Sequence, residues 1–383
     1  MENERKNYLD NIRWITVILV MVYHVIWLMN SQGCISNIGV KGYAFLDGVL
    51  YFIYPWFMVL MFAVAGISAR YSLLKRTSKE FVKDRAIRLL VPSIVLPITL
   101  GWITGIITDY YTDMFKEARD IIPGFIKYIV YVFSGQGPLW FAQQLFIACL
   151  VLLLIRKIDK NRKLEKLCDN IPWWGFAILL VIFWASSLIL NTPIIEVYRN
   201  GIYIFSFLLG YYVFYSEKNL DRLEKARFIL VPAAIVLSIG YYFWIKFTIE
   251  PLATNDVTTS LHYASRSVLK HPFTNIFAFV TILAVFSIAR KCLNFSNGFS
   301  RYMTKANFGY YALHLYVLVP IAFVWCEIVK LPIWACYLAN ASSMIVVTTV
   351  LYLIISKIPV VRKLMLGMGG KQKTVSDKKT EKR

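Results

Sequence analysis

Apolar residues run along this chain in long unbroken stretches separated by short polar connections, with little of the alternation that marks half-buried strands. Ten such stretches stand out, at 12–30, 48–69, 89–108, 138–155, 173–190, 201–215, 228–247, 273–289, 308–326 and 333–356. Most are long enough to cross a hydrocarbon core of about 30 Å, where only helices and closed barrels satisfy every backbone group. Continuous apolar runs select helices, so the pattern predicts an all-α polytopic membrane helix bundle of about ten transmembrane helices. The sixth stretch is short. A further segment, 121–134, is interrupted by Pro123 and Gly124 and is expected to lie along the membrane surface.

Composition agrees: 58% of the 383 residues are hydrophobic and the mean hydropathy is +0.57, well above the mix of ordinary soluble domains. One membrane domain, 1–356, is expected to make up almost the whole protein, without repeats or a soluble module. Residues 357–383, ending in KQKTVSDKKTEKR, read as a basic, disordered cytoplasmic tail lying against anionic lipid.

The net charge of +20 would suggest a nucleic-acid partner were it not sorted by side. The N-terminus, the even-numbered connections and the tail hold 33 of the 42 basic residues, and the odd-numbered connections hold 9. The positive-inside rule then puts both termini in the cytoplasm and makes membrane lipid, not nucleic acid, the partner of this charge. The six cysteines show no CxxC and no metal spacing, so neither a disulfide framework nor a metal site is expected; Cys34 falls in an outer loop.

Ionisable residues inside a bilayer are expensive and are therefore the first functional candidates. His24 lies 11 residues beyond Arg13, which at 100° per residue is 20° past three full turns, so both share one face of the first helix, about 16 Å apart along its axis. Val17 and Val20 fall on the same stripe. The plain alternatives are a histidine packed between helices and an arginine that snorkels to the rim. Arg85 and Arg88, at i and i+3 where the third stretch begins, form a pair able to grip a phosphate or simply to anchor the loop to the cytoplasmic side. His314, near Tyr310 and Tyr311, suits an interhelical hydrogen bond, and Trp140 at a span end suits an interfacial belt. Neither a Walker loop nor a GxSxG is present.

The opening NYLDNIRWITVILVMVYHV, with Leu9, Asp10, Arg13 and His24, resembles the first motif of the acyltransferase 3 family of membrane acyltransferases. MFAVAGISARYSL is similar to the second-span motif, with Ala65 where serine is usual before Gly66. RAIRLLVP resembles the arginine-pair motif, GPLWF the Leu-Trp-Phe motif, and NFGYYALHLYV the late tyrosine and histidine motif, here with Phe308 and Gly309 before Tyr310.

The resemblance implies transfer of an acyl group, commonly acetyl, from acyl-CoA as co-substrate to a hydroxyl of a glycan or glycolipid acceptor at a bacterial cell membrane. It implies His24 as general base or transient acyl carrier, with Asp10 in the catalytic set. Arg13, Arg85 and Arg88 are implied as donor-phosphate partners, and Trp140, Tyr311 and His314 as substrate contacts. The segment ISKIPVVRKLMLG looks, more loosely, like the subgroup that succinylates periplasmic glucans. Some members carry an extracytoplasmic hydrolase-like domain; without one, this chain is expected to act on the acceptor directly or through a separate partner protein. A secondary transporter or glycan exporter is the competing reading, and consumption of acyl-CoA separates the two.

Overall fold

The computed structural model describes residues 6–32, 38–191, 199–252 and 262–368; Cys34 and the polar end of the tail lie outside them. Among the described residues every regular element is a helix. The main ones are α1 (Asn7–Leu28), α2 (Ala44–Leu73), α3 (Ser78–Thr112), α4 (Gly124–Ser134), α5 (Gly137–Ile158), α6 (Trp173–Ser186), α7 (Asn200–Tyr212), α8 (Arg227–Ile249), α9 (Pro272–Cys292), α10 (Gly298–Ile328) and α11 (Ile333–Lys357). All ten apolar stretches fall on helices, and eight of these helices are long and apolar enough to cross a membrane. The protein is a multi-pass helical membrane protein.

Two predicted spans are shorter than expected. Helices α6 and α7 have 14 and 13 residues, about 20 Å of rise each, against a core of about 30 Å.

Alternate connections gather at the two ends of the bundle. At the end where α1 begins, Asn11 Nδ2 donates to the carbonyls of Leu293 (2.5 Å) and Phe295 (2.8 Å), Lys6 pairs with Glu217, and Arg70 pairs with Glu165. At the other end Ser31 Oγ donates to Asp47 (2.6 Å), Tyr51 to Glu250, and Tyr337 to the Met29 carbonyl (2.8 Å). The first end, here the basic end, collects the Lys- and Arg-rich connections.

Helix α2 is the centre of the bundle: 83% of its apolar window is buried, against 11% for α8, which faces outward. Pro55, in the turn within α2, cannot donate to the helix ladder. Helix α7 lies against α2 backbone to backbone. A Cβ at Gly66 would strike the Phe207 carbonyl, and one at Gly210 the Ala63 carbonyl, so both positions require glycine.

Helix α3 begins with a capping box in which Thr77 and Glu80 satisfy each other's backbone. Its 35 residues, about 52 Å, project beyond the membrane core, and two π-helical turns, Ala86–Leu90 and Pro97–Gly101, interrupt it.

Two expectations are corrected. The segment around α4 does not lie across the membrane surface. It runs antiparallel along the far half of α3, because Gly101 meets Gly135 and Gly105 meets Tyr131 at backbone distance. The beginning of the expected disordered tail is ordered: Pro359–Leu366 is a helix, started by proline in its first turn, that packs on Val91–Leu96 of α3 and the π-turn before it and buries Leu366. The five cysteines among the described residues are free.

Candidate active site

Two cavities are stacked along α1, α2, α5 and α10. The inner one, toward the basic end, has a volume of about 310 Å³ and is bounded by Arg13, Ser68, Arg85, Cys149, Asn307 and Tyr311, among others. The outer one, of about 620 Å³, is bounded by His24, Trp140, Arg199, Arg266 and a set of aromatic rings. Tyr311 lines both. Its hydroxyl donates to the Pro138 carbonyl and its ring meets Phe141 edge-on at 5.5 Å, so it forms the partition.

The α1 stripe threads both chambers. Arg13 and Val17 line the inner one, and Val20 and His24 the outer, as 100° per residue requires. Arg13 donates to Asp10 (2.8 Å) and to Ser68, which fixes its guanidinium at the inner wall. Asp10 stands 14 residues from His24, about 21 Å along the helix axis. It therefore holds Arg13 and does not reach the histidine.

The arginine pair of α3 is split. Arg85 lines the inner chamber, its guanidinium 5.1 Å from the Phe81 ring centre and its Nε buried without an acceptor among the described residues. Arg88 points away, 45% exposed, and donates to Asp84 at 2.9 Å. The π-turn that begins at Ala86 is the reason: its i→i+5 ladder winds less per residue than an α-helix, so i and i+3 no longer share a face.

His24 and His314 meet across the α1–α10 contact, with His314 Nε2 at 3.1 Å from His24 Nδ1. Their partners assign the protons. His314 Nδ1 faces the carbonyls of Tyr311 (2.7 Å) and Tyr310 (3.1 Å), which only accept, so Nδ1 carries the hydrogen and Nε2 the lone pair. His24 Nδ1 then faces two acceptors, His314 Nε2 and the Val20 carbonyl at 2.8 Å, and it too carries the hydrogen. Nε2 of His24 is left with a free lone pair on a half-buried ring that borders the outer chamber. His314 itself is fully buried.

Trp140 is not a lipid-interface residue: its ring packs on Tyr203 at 5.4 Å and lines the outer chamber. Trp173 and Trp174 are exposed, as a membrane belt requires. Sequence reasoning missed Ser68 and Asn307 in the inner chamber and Tyr203 and Arg199 in the outer. The one available signal for Arg199 was its being the sole basic residue between the fifth stretch and the short sixth.

A polytopic helical protein with paired histidines at the junction of two chambers is the class these features define. The chain matches the acyltransferase domain of the acyltransferase 3 family over residues 6–356, and it belongs to that family. Searches for similar curated proteins and for similar solved structures each returned no match. Membership supports a membrane acyltransferase over the transporter or exporter reading.

Proposed function

We propose that this protein moves an acyl group, acetyl first and succinyl as the alternative, from an acyl-CoA at the inner chamber to a hydroxyl of an envelope or exported glycan in the outer one. The observation that carries the reading is the His24–His314 pair, which leaves a basic nitrogen on the wall of the outer chamber just beyond the Tyr311 partition.

Phosphates of the donor suit Arg13 and Arg85, and its acyl end would reach the outer chamber past Tyr311, which lines both. His24 Nε2 takes the proton of the acceptor hydroxyl as the hydroxyl oxygen attacks the thioester carbonyl. The new C–O bond replaces the C–S bond, and the CoA thiolate leaves toward the inner chamber and is protonated there. His314, accepting from His24 Nδ1–H, fixes the tautomer and steadies the imidazolium that forms. The aromatic walls of the outer chamber suit the C–H faces of a sugar. On the positive-inside rule the basic end is cytoplasmic, which places the donor side where acyl-CoA is made and the acceptor side outside a bacterial cell membrane.

Purified full-length protein given radiolabelled acetyl-CoA and an envelope glycan fraction should release CoA and label the glycan. A folded His24→Asn variant should bind acyl-CoA and fail to transfer; transfer at the wild-type rate would refute the mechanism. For orientation, a cysteine replacing Lys75 should resist an impermeant thiol reagent in intact cells, and its labelling there would reverse the assignment.

A further inference from the structure

Arg199 is 4% exposed and lies at the start of the short helix α7. None of its three guanidinium nitrogens has a hydrogen-bond acceptor among the described residues. It faces neutral tyrosines, the Tyr203 ring at 5.6 Å from the guanidinium carbon to the centroid with Tyr54 and Tyr241 nearby, which offset only part of the cost of burying a charge. A buried cation without a counterion among the described residues needs an explanation, and its position supplies one: it lines the chamber that His24 borders.

The wall around it points the same way. Among the described residues lining the chamber there are two arginines, Arg199 and Arg266, and no aspartate or glutamate. Arg266 is exposed, at the mouth, whereas Arg199 is enclosed. The first turn of α7 adds the positive end of a helix dipole. In such low-dielectric surroundings an oxyanion would offset the charge, and a planar guanidinium fork matches the two oxygens of a carboxylate or phosphate.

We infer that the outer chamber takes an anionic ligand group, a carboxylate or phosphate, whose counterion is Arg199. This deepens the acyltransfer reading and rests on it for the identity of the ligand. The charge can come from an acidic group on the acceptor glycan or from the free end of a dicarboxylic acyl chain.

The test measures binding and turnover separately on full-length protein in nanodiscs. Glucuronate and glucose 6-phosphate serve as charged acceptor probes and glucose as the neutral one, while succinyl-CoA and acetyl-CoA serve as charged and neutral donors. The expected result is at least a tenfold preference for the charged member of one pair, abolished in Arg199→Gln and only partly retained in Arg199→Lys, which keeps the charge but loses the fork. A preference confined to the sugars assigns the charge to the acceptor, and one confined to the donors assigns it to the acyl chain.

Wild-type protein without any such preference would overturn the inference, whatever the variants do. So would a preference that persists undiminished in a folded Arg199→Gln protein. Because binding is read without transfer, His24→Asn should keep the sugar preference, so a failed mechanism and a failed anion site give different results.

Discussion

The inner and outer chambers share six helices and a tyrosine, yet Arg13 in the one and Arg199 in the other are held in different ways. In the inner chamber Arg13 is held by Asp10 and Ser68, while Arg85 lies over the Phe81 ring with its Nε lacking an acceptor among the described residues. Arg13 is therefore fixed with or without a ligand. In the outer chamber Arg199 is enclosed and has no acceptor among the described residues. A site that exchanges a soluble, multiply charged donor gains from cations that stay ordered between turnovers. A site that must recognise one group on a larger molecule gains from a cation whose only good partner arrives with that molecule.

The largest test of this contrast is at the junction. His24→Ala should lower kcat by about 10²-fold or more while acyl-CoA affinity stays near wild type, because a general base is removed and no phosphate contact is touched. Equal loss of donor binding would place His24 in the inner function instead. His314→Ala should cost somewhat less, about 10-fold to 10²-fold in kcat, since His24 remains but its tautomer is no longer fixed. An unchanged rate in that variant would remove His314 from the mechanism.

Arg85→Gln should raise KM for acyl-CoA about tenfold with little change in kcat, measured at saturating acceptor. The smallest effect is expected at Arg88. Its exposed pairing with Asp84 belongs to the class worth about 0–1 kcal/mol, so Arg88→Gln should shift KM by no more than about twofold. If the two variants behaved alike, the split seen in α3 would not describe donor binding.

Much of this architecture was readable in advance, and the failures have local causes. The Arg13–Val17–Val20–His24 stripe was legible because α1 is one regular helix, where angle follows from count. The Arg85–Arg88 pair was misread because the hydrogen-bond ladder changes register at Ala86, which no spacing rule detects. Contact between His24 and His314 joins positions 290 apart and depends on how α1 and α10 cross. The packing of α4 on α3 did leave a signal in Gly101-Trp-Ile-Thr-Gly105, small residues one turn apart of the kind that bring membrane helices together. Arg199 illustrates the opposite limit, since its burial, more than its residue type, makes it notable.

Where α2 meets α7, main chain touches main chain at Gly66 and Gly210, and this divides the sequence into two kinds of mutational risk. Apolar side chains around the joint can exchange for one another and leave the helices at the same separation, so drift there is cheap. Any residue larger than glycine at either position pushes α7 outward, and the start of α7 carries Arg199 with it. Thus the placement of a charge at the outer chamber is inherited through two hydrogen atoms on a distant face. A directed-evolution library for new acceptors can vary the chamber walls freely but must leave those two positions alone.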